Sequence, residues 1–150
     1  GHPGDLTDAR GAGAGTVSLV RRTIEVSGPA SVSEAWERYA VISAWHTWSP
    51  PIRSVEATAP RIAPGVTGIV RGVAGAFVTF RIESVDERAH TWAWTVGVGP
   101  LTARLEHGVR LAEGDFGSVT TLTVDAVAPI ALGYPEVARL SLHRLVAPQA

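Results

Sequence analysis

The sequence predicts an α+β domain in which a curved, seven-stranded antiparallel sheet wraps around a long C-terminal helix, with two short helices after the first strand. Three observations carry this expectation. A β-branched run opens the ordered part of the chain, six further strand-like runs separated by Gly, Pro or Asp-Glu turns follow one another, and the segment after Pro129 changes from a period of two to a helical period. Successive strands of this kind imply a meander, and a helix with one apolar stripe covers the face that such a sheet leaves bare.

Residues 1–15 hold Gly1, Gly4, Gly11, Gly13 and Gly15 among small partners, too little apolar surface to offset the entropy of ordering, so a disordered tail is expected there. Position 1 is not Met, which points to processing or to vector-derived residues over 1–4. Residues 16–148 are expected to form one domain. Its first strand runs through Val17, Leu19, Val20, Ile24 and Val26 and ends at Gly28-Pro29. Ser31 followed by Glu34 makes a capping box, and Ala35, Trp36, Tyr39 and Ala40 recur on one face of the helix it starts. The segment Ala44-Trp45-His46-Thr47-Trp48-Ser49 predicts a short helical turn closed by Pro50-Pro51. Strands are then expected over residues 52–58, 65–73, 76–85, 89–98, 102–112 and 118–127. The final helix starts at Pro129 and runs toward Val146, with Ile130, Tyr134, Val137, Ala138, Ser141, Leu142 and Leu145 in one stripe.

Composition removes several function classes. Thirteen Lys plus Arg, all of them Arg, balance fourteen Asp plus Glu to a net charge of -1 and are scattered along the chain, so no basic field favours nucleic acid. There is no cysteine, hence no disulfide, thiolate chemistry or Cys-based metal site. No apolar run approaches the roughly 20 residues that span a bilayer, and the expectation is a cytoplasmic protein without membrane insertion. His46, His107 and His143 fall in different elements, so no metal is expected. The glycines at 65, 68, 72 and 75 lack the strand-to-helix sequel of a dinucleotide site, and there is no nucleophile elbow. No cofactor is expected.

The chemistry concentrates on one row. Between Leu101 and Leu111, Leu101, Ala103, Leu105, His107, Val109 and Leu111 alternate with Thr102, Arg104, Glu106, Gly108 and Arg110, so a single imidazole stands in an apolar face. Inside a pocket, His107 suits a general base near neutrality, and His46 could partner it from the pocket rim. Tyr134 and Tyr39, on inward helix faces, could donate to a developing oxyanion. Tyr39, Trp45, Trp48, Phe80, Trp92, Trp94 and Ser141 are the candidate ligand contacts, the rings offering flat apolar area. The competing reading is structural: His107 bonded to a neighbour, the tyrosines and tryptophans simply core. Arg81, Glu106 and Asp125 are expected on the outer face.

The order strand, two short helices, six strands, long helix resembles the START-like (SRPBCC) helix-grip fold, and more specifically its polyketide cyclase/dehydrase branch. The resemblance rests on the 20–26 strand with Gly28-Pro29-Ala30, Ala35-Trp36, the Trp45-His46-Thr47-Trp48-Ser49-Pro50 segment, Gly65 with Gly68, Phe80-Arg81-Ile82 and Trp92-Ala93-Trp94, and covers about residues 17–146. It implies a deep pocket between sheet and terminal helix, with His107 and Tyr134 at positions matching polar inward sites. Two functions follow as expectations: a cofactor-independent cyclase or dehydratase acting by acid-base chemistry on a hydrophobic oxygenated metabolite, or a noncatalytic carrier of a hydrophobic small molecule or lipid. The partner expected is such a small molecule, and the protein a monomer or homodimer.

Overall fold

The structure, a computed structural model, describes residues 18–148; the expected tail over 1–15 lies outside the described residues. Strand β1 (Leu19–Gly28) is followed by helix α1 (Val32–Ala40), a 3-10 turn (Ile42–Ala44) and helix α2 (Trp45–Trp48). Strands β2 (Ile52–Ala57), β3 (Thr67–Gly72), β4 (Phe77–Asp86), β5 (Thr91–Val98), β6 (Leu101–Leu111) and β7 (Ser118–Val127) lead to helix α3 (Ala128–Leu145). The seven strands form one antiparallel sheet in the order β1-β7-β6-β5-β4-β3-β2. This is the seven-stranded helix-grip architecture that the pattern predicts. The registers are irregular between Ile52 and Ser54 and between Ile82 and Ser84, and such bulges bend a strand locally.

Local chemistry explains the helix boundaries. The Ser31 hydroxyl accepts from the Glu34 N–H at 3.1 Å while the Glu34 carboxylate accepts from the Ser31 N–H at 3.0 Å, the reciprocal pair foreseen. Those bonds hold the Glu34 carboxyl below the ordinary carboxylate range. Helix α3 begins with Pro129 in its first turn, where the missing N–H costs nothing. Pro135, inside the helix, is buried and removes one N–H from the ladder. At the far end, the Arg38 guanidinium donates to the carbonyls of Leu145 (2.6 Å) and Ala147 (2.9 Å), placing positive charge at the negative pole of α3.

The concave face of the sheet is covered by two different roofs. Helix α3 packs on β1 and β7 and meets α2, whereas α1 lies across β6 and β7. Gly28 lets the chain after α3 pass close by: a Cβ there would stand 2.3 Å from the Val146 carbonyl oxygen. Among the described residues no helix is long and apolar enough to cross a membrane.

Candidate ligand site

One half of the concave face is filled by aromatic rings. Trp45 stacks on Trp92 with centroids 5.8 Å apart, Phe80 lies 5.6 Å from Trp45 and 5.4 Å from Trp94, and Trp92 and Trp94 are 5.0 Å apart. Tyr39 is fully buried and meets Trp48 edge-on at 5.6 Å. Such a cluster buries a large apolar area and leaves little room for a ligand. The indole N–H groups are satisfied by Glu87 for Trp36 (2.8 Å), the Tyr39 carbonyl for Trp45 (2.7 Å), the Arg38 carbonyl for Trp48 (2.8 Å) and His107 for Trp94 (3.1 Å). Among the described residues the buried Trp92 Nε1 has no hydrogen-bond partner.

His107 sits inside this filled half, with both ring nitrogens engaged. The Trp94 indole can only donate, so His107 Nε2 is an acceptor and the proton of the neutral ring lies on Nδ1. Nδ1 then donates to the Tyr39 hydroxyl at 3.2 Å, Tyr39 donates to Thr120 Oγ1 at 2.5 Å, and Thr120 donates to the Gly108 carbonyl at 3.0 Å. The polarity is consistent from indole to backbone carbonyl, so every group in the chain is satisfied. Burial lowers the His107 pKa to about 3, and protonating Nε2 would also set a donor against the Trp94 N–H. Desolvation pushes the Tyr39 hydroxyl well above its ordinary value.

The empty half is a cavity of about 510 Å³ at the β5–β6 hairpin end, between the sheet and α3. Paired residues Trp94 and Leu105, Val96 and Ala103, and Val98 and Leu101 form its sheet wall. Ile130, Tyr134, Val137, Ala138 and Ser141 supply the helix wall. Among the described residues its lining contains no Asp, Glu, Arg or His; the hydroxyl-bearing side chains are Ser49, Thr102, Tyr134 and Ser141. Val98, Leu101, Val73 and Phe77, at the hairpin ends, are roughly half exposed and mark the mouth. Ser49 and Ser141 are buried, and their hydroxyls meet at 2.9 Å.

The apolar row on β6 is therefore divided. Leu101, Ala103 and Leu105 line the cavity, but His107 does not, because α1 and α2 cover its end of the sheet with Tyr39 and Trp45. The expectation that His107 faces a pocket as a free general base is corrected on this ground. His46 is exposed, with Nδ1 against the Ser43 carbonyl at 2.9 Å, and does not come together with His107. Of the other candidates, Trp94, Tyr134 and Ser141 line the cavity, whereas Tyr39, Trp45, Trp48, Phe80 and Trp92 belong to the plug. Tyr134 is partly exposed as a residue, but loss of water around its phenol raises the pKa of that group. The sequence reading missed Ser49 and Thr120. Thr120, Leu122, Val124 and Ala126 alternate along β7 and share its buried face, a period-two pattern that could have found Thr120. On the convex face, Glu106 and Asp125 pair with Arg21, and Glu106 also with Arg104.

A family model described as "Polyketide cyclase / dehydrase and lipid transport" matches residues 19–147. The solved structure titled "Crystal structure of Ara h 8.0201" is similar at a TM-score of 0.69 and 16% identity, covering 86% of this chain and 95% of that one, a likeness of fold alone. Among curated proteins no sequence relative matches. With the family model extending over all the elements from β1 to α3, the chain belongs to the polyketide cyclase/dehydrase and lipid transport family.

Proposed function

We propose that the protein binds and carries an uncharged, largely apolar small molecule in the cavity under α3, with Trp94 as a flat wall and Tyr134 and Ser141 as polar contacts on the helix side. The observation that carries this reading is the cavity itself: about 510 Å³, within the range of ordinary small-molecule sites, and apolar apart from a few hydroxyls. The acid-base reading has less support. A general base must come within hydrogen-bond reach of the proton it removes and titrate near the working pH. His107 lies outside the cavity, and its pKa is lowered to about 3. Tyr134 is the titratable side chain in the lining, and its raised pKa suits a hydrogen-bond donor rather than a base.

The test is binding of Nile red, an uncharged dye whose emission strengthens in apolar surroundings, to the wild-type protein and to Val96→Trp. Val96 lines the cavity, so the larger ring occupies the space a ligand needs. Saturable binding to the wild type, lost in a Val96→Trp protein that still unfolds cooperatively, supports the proposal. Equal binding by both proteins refutes this location.

A further inference from the structure

Resting on that reading, the polar atoms of the cavity indicate which molecule it accepts. The two buried hydroxyls of Ser49 and Ser141 are 2.9 Å apart, and each offers one donor and two acceptor positions. Their mutual bond uses one proton. The hydroxyl that accepts in the pair keeps its own proton, and among the described residues neither side chain has another hydrogen-bond partner. One donor is therefore left over in a place where exposure is 8% for both residues. An unpaired donor at such a position is unfavourable until an acceptor reaches it.

The surroundings restrict that acceptor. Among the described residues no cationic side chain lines the cavity, so a carboxylate or phosphate entering it would shed its water without gaining a counter-charge. A ketone or alcohol oxygen loses far less water and needs only the one bond on offer. The gradient of exposure sets the direction of entry. The serine pair is buried, while Val73 (53%), Phe77 (56%), Val98 (52%) and Leu101 (46%) stand at the mouth. An oxygen seated on the serines leaves hydrocarbon to run outward between Val96, Ala103 and Ala138 toward that rim.

We propose that Ser49 and Ser141 form a polar anchor that selects an uncharged amphiphile, a hydrocarbon skeleton ending in one alcohol or ketone oxygen that enters first, and that the site rejects the same skeleton ending in an anion. Decan-1-ol, decanoate and decane form a matched probe series, each titrated against bound Nile red at about pH 7.5, where decanoate is ionised. Wild-type protein is expected to bind decanol at least about tenfold more tightly than decanoate, since the charge is left unpaired. The Ser49→Ala/Ser141→Ala protein is expected to lose about three- to tenfold in decanol affinity, the ordinary worth of one neutral hydrogen bond, with decane affinity retained. Ser49→Thr/Ser141→Thr keeps both hydroxyls and serves as the control that restores the preference.

Decanoate binding as tightly as decanol, or decanol affinity unchanged in the alanine protein, overturns the anchor while leaving the carrier reading intact. A fall in decane affinity as large as that for decanol also overturns it, because a packing defect rather than a lost bond is then responsible. Failure of Nile red and all three probes to bind the wild type overturns the anchor and the carrier reading together.

Discussion

Acid is expected to destabilise this protein through His107 before its carboxylates come into play. The ring is buried and neutral, with Nε2 committed as an acceptor, and its pKa is lowered from 6.5 to about 3. The unfolded chain takes up a proton near the ordinary value while the folded protein does not, so stability is complete above about pH 6.5 and falls as pH drops from there toward about pH 3. Each pH unit between those two values is worth about 1.4 kcal/mol, which makes about 5 kcal/mol for the whole window, of which about 2 kcal/mol is lost by about pH 5. The assay is urea unfolding followed by tryptophan fluorescence at several values between about pH 7.5 and about pH 5, on the wild type and on His107→Gln. Glutamine retains an acceptor for Trp94 and a donor for Tyr39 but does not titrate. The stability difference between the two proteins should shrink by about 2 kcal/mol over that range. Contributions from Glu34, Glu37, Glu87 and Glu136, whose carboxyls are held low by hydrogen bonds and arginine partners, are common to both proteins and cancel. A difference constant to within about 0.5 kcal/mol would refute the placement of a buried neutral imidazole.

Three further outcomes are expected. Tyr39→Phe leaves His107 Nδ1–H without an acceptor and should cost about 1–3 kcal/mol in urea unfolding; a protein as stable as the wild type would contradict the hydrogen-bond chain. Ser31→Ala removes one half of the α1 capping box and should lower stability by about 1 kcal/mol with an unchanged m-value. Gly28→Ala sets a methyl group against the Val146 carbonyl and should cost about 1–3 kcal/mol, read as a lowered unfolding midpoint by circular dichroism.

The architecture was legible in the sequence because its signals are local. Ser31 and Glu34 start α1 by contacts three residues apart, Pro129 lies in the first turn of α3, and the alternation along β6 names the residues facing inward. The site was only half legible, because facing inward and facing a cavity are different properties. His107 and Ala103 share one face of β6, and what separates them is the helix lying above each, a long-range packing fact absent from any strand pattern. Trp94 and Trp92 likewise alternate in step, yet Trp94 lines the cavity and Trp92 is enclosed by rings. Ser49 escaped notice because it follows α2 in a turn, where no period marks which way a side chain points.

Because most of the rings at one end of the sheet interlock away from the lining at the other, with Trp94 as the wall they share, the molecule largely separates the task of staying folded from that of choosing a guest. Changes among the small aliphatic side chains at the hairpin end can reshape the hollow without disturbing the aromatic keystone. A scaffold divided in this way can acquire new guests through single substitutions, each tolerated because the load is carried elsewhere.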